Sequence, residues 1–124
     1  MVTVDDVRLV LADLPRSYEV VVRGRTKFRV KQIVYLAFSR DETEMGFGFP
    51  KSEREYLVAT EPEKFFMPDE ASMRFHWVEA WTAKLEFDEM RDLVICAWAM
   101  CVPKYVSAPY VLDEADEADE ADEA

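Results

Sequence analysis

Hydrophobic and polar positions alternate along the chain with two different periods, and each period predicts a different kind of element. Between residues 4 and 14 the apolar side chains recur every three or four positions, which indicates an amphipathic helix. Thr3 precedes this stretch and Asp6 stands three positions later, a pairing that is typical of a capped helix N-terminus. Because proline cannot continue a helix, we expect this helix to end before Pro15.

Two later segments also have helical features. Ser52 and Glu55 form a capping-box pattern at the start of a short apolar face that ends before Pro62. Asp88 is a suitable N-cap for a longer helix with one broad apolar face, and Pro103 should end that helix or kink its last turn. We therefore predict three helices.

The central part of the chain favours extended structure. β-branched and aromatic residues alternate there with short polar turns, and one more extended segment follows the predicted middle helix. The predicted strands cover residues 18–23, 26–30, 33–38, 43–49 and 75–81. The order is thus one helix, three or four strands, a helix, one or two strands and a helix. It predicts an α+β fold in which three helices pack on one face of an antiparallel sheet of about five strands. The apolar phases predict a single core that contains Phe28, Val30, Met45, Phe47, Phe49, Leu93, Val94, Ala97 and Trp98.

Composition narrows the class of protein. The chain has 124 residues, of which 50% are hydrophobic, so it can bury a core without disulfides or metal ions. The sequence has no apolar stretch of about 18 residues, and its first residues lack the pattern of a signal peptide. We expect a cytoplasmic protein that does not bind a membrane.

The negative charge is concentrated at the C-terminus. Residues 113–124 repeat Asp-Glu-Ala four times and hold eight of the 26 acids, so residues 1–112 carry 15 bases, 18 acids and a net charge of −3. Like charges at these spacings repel one another in a helix, and alanine offers little surface to bury. We expect one domain over residues 1–112 and a disordered acidic tail over residues 113–124, which either solubilises the protein or regulates it as a competitor of an anionic ligand.

Five bases stand at every second position in the predicted second strand and its flanks: Arg23, Arg25, Lys27, Arg29 and Lys31. Alternate side chains of a strand share a face, so these bases should point away from the core and the intervening Phe28 and Val30 into it. Residues 16–31 carry a net charge of +5, against −8 for the rest of residues 1–112. Such a concentration of bases is suited to phosphate contacts, although charged side chains are also common on solvated strand faces.

The fourth strand places Gly46 and Gly48 on the face opposite the core, which leaves its backbone bare. A side chain of a neighbouring strand is the commonest filling of such a strip, and a ligand or a partner chain are the alternatives. Strand 33–38 is apolar on both faces, so its outer face should also be covered. A second copy of the chain, packed against the sheet in a homodimer, would cover it. Tyr35 and Trp77 are candidates for stacking on bases or for other surface contacts.

The sequence contains no recognised catalytic or cofactor motif. It has no Gly-rich nucleotide loop, no HExxH zinc motif and no GxSxG nucleophile elbow. Cys96 and Cys101 do not have CxxC spacing, and His76 is the only histidine. We predict no catalytic residues, no metal and no cofactor. An enzyme or a small-ligand binder would need a closed pocket near His76, Trp77 and one of the two cysteines.

Several segments, taken in order, resemble one protein family. They are Leu14-Pro15, Lys27-Phe28-Arg29-Val30, Ile33-Val34-Tyr35-Leu36-Ala37, the helix from Ser52 to Thr60 with Glu61-Pro62-Glu63-Lys64-Phe65-Phe66 after it, Trp77-Val78, and Ala97-Trp98 with Val102-Pro103-Lys104. Together they resemble the MmcQ/YjbR family of small bacterial proteins, which are often described as DNA-binding. The likeness runs from about Val4 to Lys104. It implies a secretion-chaperone-like α+β fold and no established catalytic residues.

Two hypotheses about function follow. The first is a non-catalytic domain that binds DNA or another nucleic acid through the five bases of the second strand. The second is a protein-interaction or homodimerising module that uses the outer sheet face around Gly46, Gly48 and Tyr35, with an affinity that depends little on salt.

Overall fold

The structure is a computed structural model that describes residues 1–111. Its first helix, α1 (Val4–Leu11), begins at the predicted cap, Thr3. Thr3 Oγ1 accepts a hydrogen bond from the backbone N–H of Asp6, and the Asp6 carboxylate accepts one from the backbone N–H of Thr3. Both donors would otherwise lack a partner at the helix start. The predicted tail over residues 113–124 lies outside the described residues.

Six antiparallel strands form one sheet: β1 (Ser17–Val22), β2 (Arg25–Val30), β3 (Ile33–Phe38), β4 (Glu44–Gly48), β5 (Phe65–Phe66) and β6 (Trp77–Trp81). Their order in space is β1-β2-β3-β4-β6-β5, so the first four form a meander and β6 pairs with both β4 and β5. The α+β class is confirmed. The sheet has six strands rather than about five, because β5 contains two residues and is too short to show alternation.

The described chain also has three further α-helices, α2 (Lys51–Thr60), α3 (Phe87–Ala99) and α4 (Lys104–Ser107), and two short 3₁₀ helices, Glu70–Ser72 and Thr82–Lys84. The predicted caps of α2 and α3 are wrong. Pro50 stands at the N-cap of α2, and the fixed φ of proline suits a helix start, so Ser52 lies within the first turn. The N-cap of α3 is Glu86, which places Asp88 in the first turn. Pro103 similarly precedes α4, a helix that the sequence pattern did not predict.

The residues that the sequence predicted for the core do form it. Phe28, Val30, Met45, Phe47, Val94, Ala97 and Trp98 are buried, and Phe49 and Leu93 pack at the margin. The indole N–H of Trp98 donates to the Pro15 carbonyl oxygen at 2.9 Å, and the ring of Tyr110 meets the indole edge-on at 5.3 Å. None of the helices within residues 1–111 is long and apolar enough to cross a membrane.

An ion pair fixes α1 to the first strand of the sheet. The guanidinium of Arg8 donates from Nε and from one terminal nitrogen to the two carboxylate oxygens of Glu19, at 2.9 and 2.7 Å. This bidentate geometry holds the pKa of Glu19 below its ordinary value, chiefly through the hydrogen bond from Arg8.

Candidate functional site

On the sheet face opposite the core, a base and an acid lie in one row of residues that crosses neighbouring strands. Lys27 of β2 pairs with Ala37 of β3, Ala37 with Gly46 of β4, and Gly46 with Glu79 of β6. The adjacent row, which faces the core, is buried and consists of Phe28, Leu36, Phe47 and Val78. In this part of the outer row, only two small residues therefore lie between a base and an acid.

A cavity of about 630 Å³ lies on this outer face. Its lining includes Arg25, Lys27, Trp77 and Glu79, together with residues of the 69–77 segment and the C-terminal end of α3. This volume falls within the range of small-molecule sites, about 300–1,000 Å³. The cavity thus brings the bases of β2 and the acid of β6 into one concave surface.

Gly46 forms the floor beneath Trp77 and Glu79. A Cβ atom at residue 46 would lie 2.5 Å from Trp77 Nε1 and 2.7 Å from Glu79 Oε2, so a larger residue would displace them. Trp77 Nε1 donates a hydrogen bond of 2.8 Å to Glu79 Oε2. Side chains of a neighbouring strand therefore fill the glycine strip at this position, which confirms the first of the three alternatives. A partner at this face would meet Trp77 and Glu79 rather than bare backbone.

Glu79 is a partly buried carboxylate. Burial raises its pKa, and the negative charges of Glu44 and Asp69 act in the same direction. The hydrogen bond from Trp77 and the charge of Arg25 lower the pKa, but less than burial raises it. Glu79 is therefore protonated more easily than an exposed glutamate.

Four bases lie close together on β2 and in the turn before it, and we call them the basic cluster: Arg23, Arg25, Lys27 and Arg29. Burial lowers the pKa of Lys27, and repulsion by the three arginines lowers it further. Within residues 1–111, none of the four forms a salt bridge. The positive charge of the basic cluster is thus uncompensated by direct ion pairs in the described part of the chain.

The strand face is shorter than the predicted stripe of five bases. Phe28 and Val30 are buried, so the alternation along β2 is as predicted. Arg23 and Lys31, however, lie outside β2 in turns, with φ of 54° and 55°. A residue with positive φ does not continue the alternation of a strand. The face of β2 therefore presents three of the five bases rather than all of them.

Arg40 is a further base at this end of the sheet that the sequence pattern did not reveal. Its Nε donates to the carbonyl oxygen of Arg23 at 2.9 Å. Arg40 belongs to the turn between β3 and β4, 17 residues from Arg23 in sequence. Pairing of the strands brings these turns together, and no local pattern indicates it.

Tyr35 is buried, so the prediction that it makes surface or stacking contacts is wrong. Only 1% of its surface is exposed, its hydroxyl is hydrogen-bonded to Ser17 Oγ, and burial raises its pKa to about 12. It lies where the register of β2 and β3 shifts, because Phe28 pairs with Leu36 but Arg29 pairs with Val34. Such a bulge redirects a side chain. The chain itself buries Tyr35, so no second copy is needed to cover it.

Arg54 of α2 holds the segment that forms one wall of the cavity. This side chain is 7% exposed. Its guanidinium donates to three backbone carbonyl oxygens, those of Met73 (2.6 Å), Phe75 (2.9 Å) and Trp77 (3.1 Å). Three charge-assisted bonds fix the path of this segment up to the start of β6. The sequence gives no sign of this role, because an arginine in a short polar helix is usually exposed.

His76 and Cys101 both line the cavity, as the small-ligand or enzyme alternative would require. Burial raises the pKa of the Cys101 thiol, which lies 3.8 Å from the carbonyl oxygen of Ala97. His76 Nδ1 accepts the backbone N–H of Lys51 at 3.1 Å. A raised pKa disfavours the thiolate of Cys101, which is the nucleophilic form of cysteine. Among residues 1–111 no group of three or more His, Cys, Asp or Glu side chains is placed to hold a metal ion.

Comparison with known proteins supports the fold. No protein-family model matches the chain, and no curated protein matches it. The chain shares its α+β fold with a solved protein structure. It is similar to the crystal structure of Deinococcus radiodurans protein DR2400, which has a DUF419 domain. The TM-score is 0.73 at 20% sequence identity, over 90% of this chain and 92% of that chain.

Proposed function

We propose that this protein is a non-catalytic nucleic-acid-binding domain of the MmcQ/YjbR type, which contacts phosphates through the basic cluster. The observation that carries the proposal is the grouping of these four bases on β2 and in the turn before it, with no salt bridge to any of them within residues 1–111. Uncompensated charge of one sign raises the free energy of the folded state, and an anionic polymer would remove that repulsion. The ordered likeness of the segments and the DUF419-like fold support membership of the family.

The separation of charge on the outer face supports the same proposal. The bases lie on β2 and in the turn before it, whereas Glu44 and Glu79 lie on β4 and β6. An anionic backbone that followed β2 would gain attraction from the basic cluster, while β3 separates it from Glu44 and both β3 and β4 separate it from Glu79. A face with interspersed charges would offer no such path.

Salt dependence of binding tests the proposal. We would replace Lys27 and Arg29 with glutamine and measure binding of labelled single-stranded and duplex oligonucleotides by fluorescence anisotropy over a salt series. Each lost phosphate contact should flatten the slope of log affinity against log salt by about 0.9 on duplex DNA or about 0.7 on a single strand.

A matched control removes the same charge elsewhere. Lys84 and Arg91 are both exposed and lie outside the cavity. Their replacement with glutamine should lower affinity slightly through net charge and leave the slope unchanged. An unchanged slope after substitution of Lys27 and Arg29 would exclude both as phosphate contacts. Absence of binding to any oligonucleotide at low salt would refute the proposal in favour of a protein-interaction module.

A further inference from the structure

The cavity has bases at one end and an acid at the other, and this limits which part of a nucleic acid fits it. Lys27 and Glu79 belong to one row that crosses four strands. The backbones of Lys27 and Glu79 are three inter-strand spacings apart, which is about 14 Å. Between them lie Ala37 and Gly46, and the side chains of Trp77 and Glu79 lie over Gly46. A matching ligand is anionic at one end and carries hydrogen-bond donors at the other.

Glu79 can accept such donors. An ionised carboxylate only accepts hydrogen bonds, and its two oxygens offer about four lone-pair sites. One oxygen, Oε2, receives the bond from Trp77, whereas Oε1 accepts no hydrogen bond from the described residues. Among the bases, guanine has two adjacent N–H donors on its pairing edge, N1–H and the N2 amino group. It therefore matches a carboxylate better than adenine or cytosine, which each have one exocyclic amino group there.

The acceptor is held in place before any ligand arrives. Trp77 Nε1 fixes one oxygen of Glu79, and both side chains rest on Gly46. The carbonyl of Trp77 is itself bonded to Arg54. Groups that are already ordered lose little conformational entropy when a ligand binds, which favours affinity and selectivity.

We infer that the cavity holds one unpaired base of a single-stranded nucleic acid, preferentially guanine, with its N–H edge on Glu79 and the neighbouring phosphates on the basic cluster. This inference rests on the proposed function and names its ligand. A base in a duplex cannot enter in this way, because its pairing edge is occupied and its ring is stacked. A free guanine nucleotide has the same chemistry, so the test must separate the two sources.

The test uses the full chain and four probes: a short thymine oligonucleotide with one central guanine, the same strand with adenine, the duplex of the guanine strand, and guanosine monophosphate. Binding to the labelled strands and duplex is followed by anisotropy, and binding of the mononucleotide by calorimetry. We expect the guanine strand to bind about tenfold more tightly than the adenine strand, and more tightly than the duplex at equal salt. Glu79→Gln should abolish most of the guanine preference without changing the salt slope.

Two controls separate base recognition from other effects. Glu44→Gln removes a neighbouring acid that interacts electrostatically with Glu79, so it should raise affinity for all strands equally and keep the guanine preference. Trp77→Phe keeps a ring but removes the N–H that orients the carboxylate, so it should weaken the preference in part. Circular dichroism and urea midpoints confirm that each variant is folded.

The outcomes distinguish this inference from the proposed function. If the guanine preference survives in Glu79→Gln, or if the duplex binds as tightly as the strand, the base assignment is wrong while phosphate binding by the basic cluster stands. If no probe binds, both fail. If the mononucleotide binds with the same dependence on Glu79 and the strand adds no affinity, the single-strand assignment is overturned in favour of a free nucleotide.

Discussion

Replacement of Arg54 with alanine should loosen the wall of the cavity and lower the stability of the whole domain. Arg54 is 7% exposed, and within residues 1–111 its guanidinium makes no salt bridge but donates to three backbone carbonyl oxygens. Hydrogen bonds to charged groups contribute about 1.5–3 kcal/mol each. The cost of burying the cation, several kcal/mol, offsets much of that sum. We expect a net loss of about 2–4 kcal/mol for Arg54→Ala, because the Trp77 carbonyl stays part-buried without its partner.

Urea denaturation followed by circular dichroism measures this loss. Arg74→Ala is the matched control, since Arg74 is an exposed arginine of the same wall, with its guanidinium 4.8 Å from the centre of the Phe75 ring. An exposed contact of this kind contributes about 0.5–1 kcal/mol. Arg54→Lys should recover little, because one ammonium cannot reproduce the planar fork that reaches three carbonyls. A loss below about 1 kcal/mol for Arg54→Ala, or full recovery by lysine, would refute the assignment of Arg54 as the support of this wall.

Three further predictions concern the core and the site. Trp98→Ala should cost about 3–5 kcal/mol in chemical denaturation through the cavity it leaves, and a loss below about 1 kcal/mol would place Trp98 outside the core. Gly46→Ala should displace Trp77 and Glu79, visible as a changed tryptophan emission spectrum; an unchanged spectrum would contradict the close contact. Because burial raises the pKa of Glu79, the folded protein binds that proton more tightly than the unfolded chain, so stability falls as pH rises through 4.5 and above it. Glu79→Gln should flatten this decline in the urea midpoint, and an unaltered pH profile would count against the shift.

The parts of the fold that depend on local patterns were predictable from the sequence. The capping box at Thr3, the meander of β1 to β4 and the inward phase of Phe28 and Val30 all follow from residues a few positions apart. The position of Tyr35, which was predicted wrongly, depends on an irregularity in strand pairing. A bulge of one residue at Tyr35 changes where its side chain goes, and alternation alone contains no sign of it.

The candidate site was predictable only at its basic end. Bases at alternate positions of one strand are visible in the sequence, but Arg23 lies in a turn because β2 begins at Arg25. To predict the acidic end, one would need the register of β4 against β6, and these strands are separated in sequence by α2 and β5. No periodicity indicates that Gly46 lies opposite Glu79. The glycine shows that something fills the space above it, while only the pairing shows which side chains do so.

The ion pair between α1 and β1 has a second consequence, for the behaviour of the protein in concentrated solution. β1 is an edge strand of the sheet, and such an edge is a template on which strands of other molecules can add and start aggregation. Glu19 lies within β1, and Arg8 holds its carboxylate. Charged side chains on an edge strand are one of the devices by which natural sheets prevent edge-to-edge association. The contact that positions the first helix therefore also places two charges at this edge, where they disfavour the addition of a strand from another molecule for as long as both partners remain ionised.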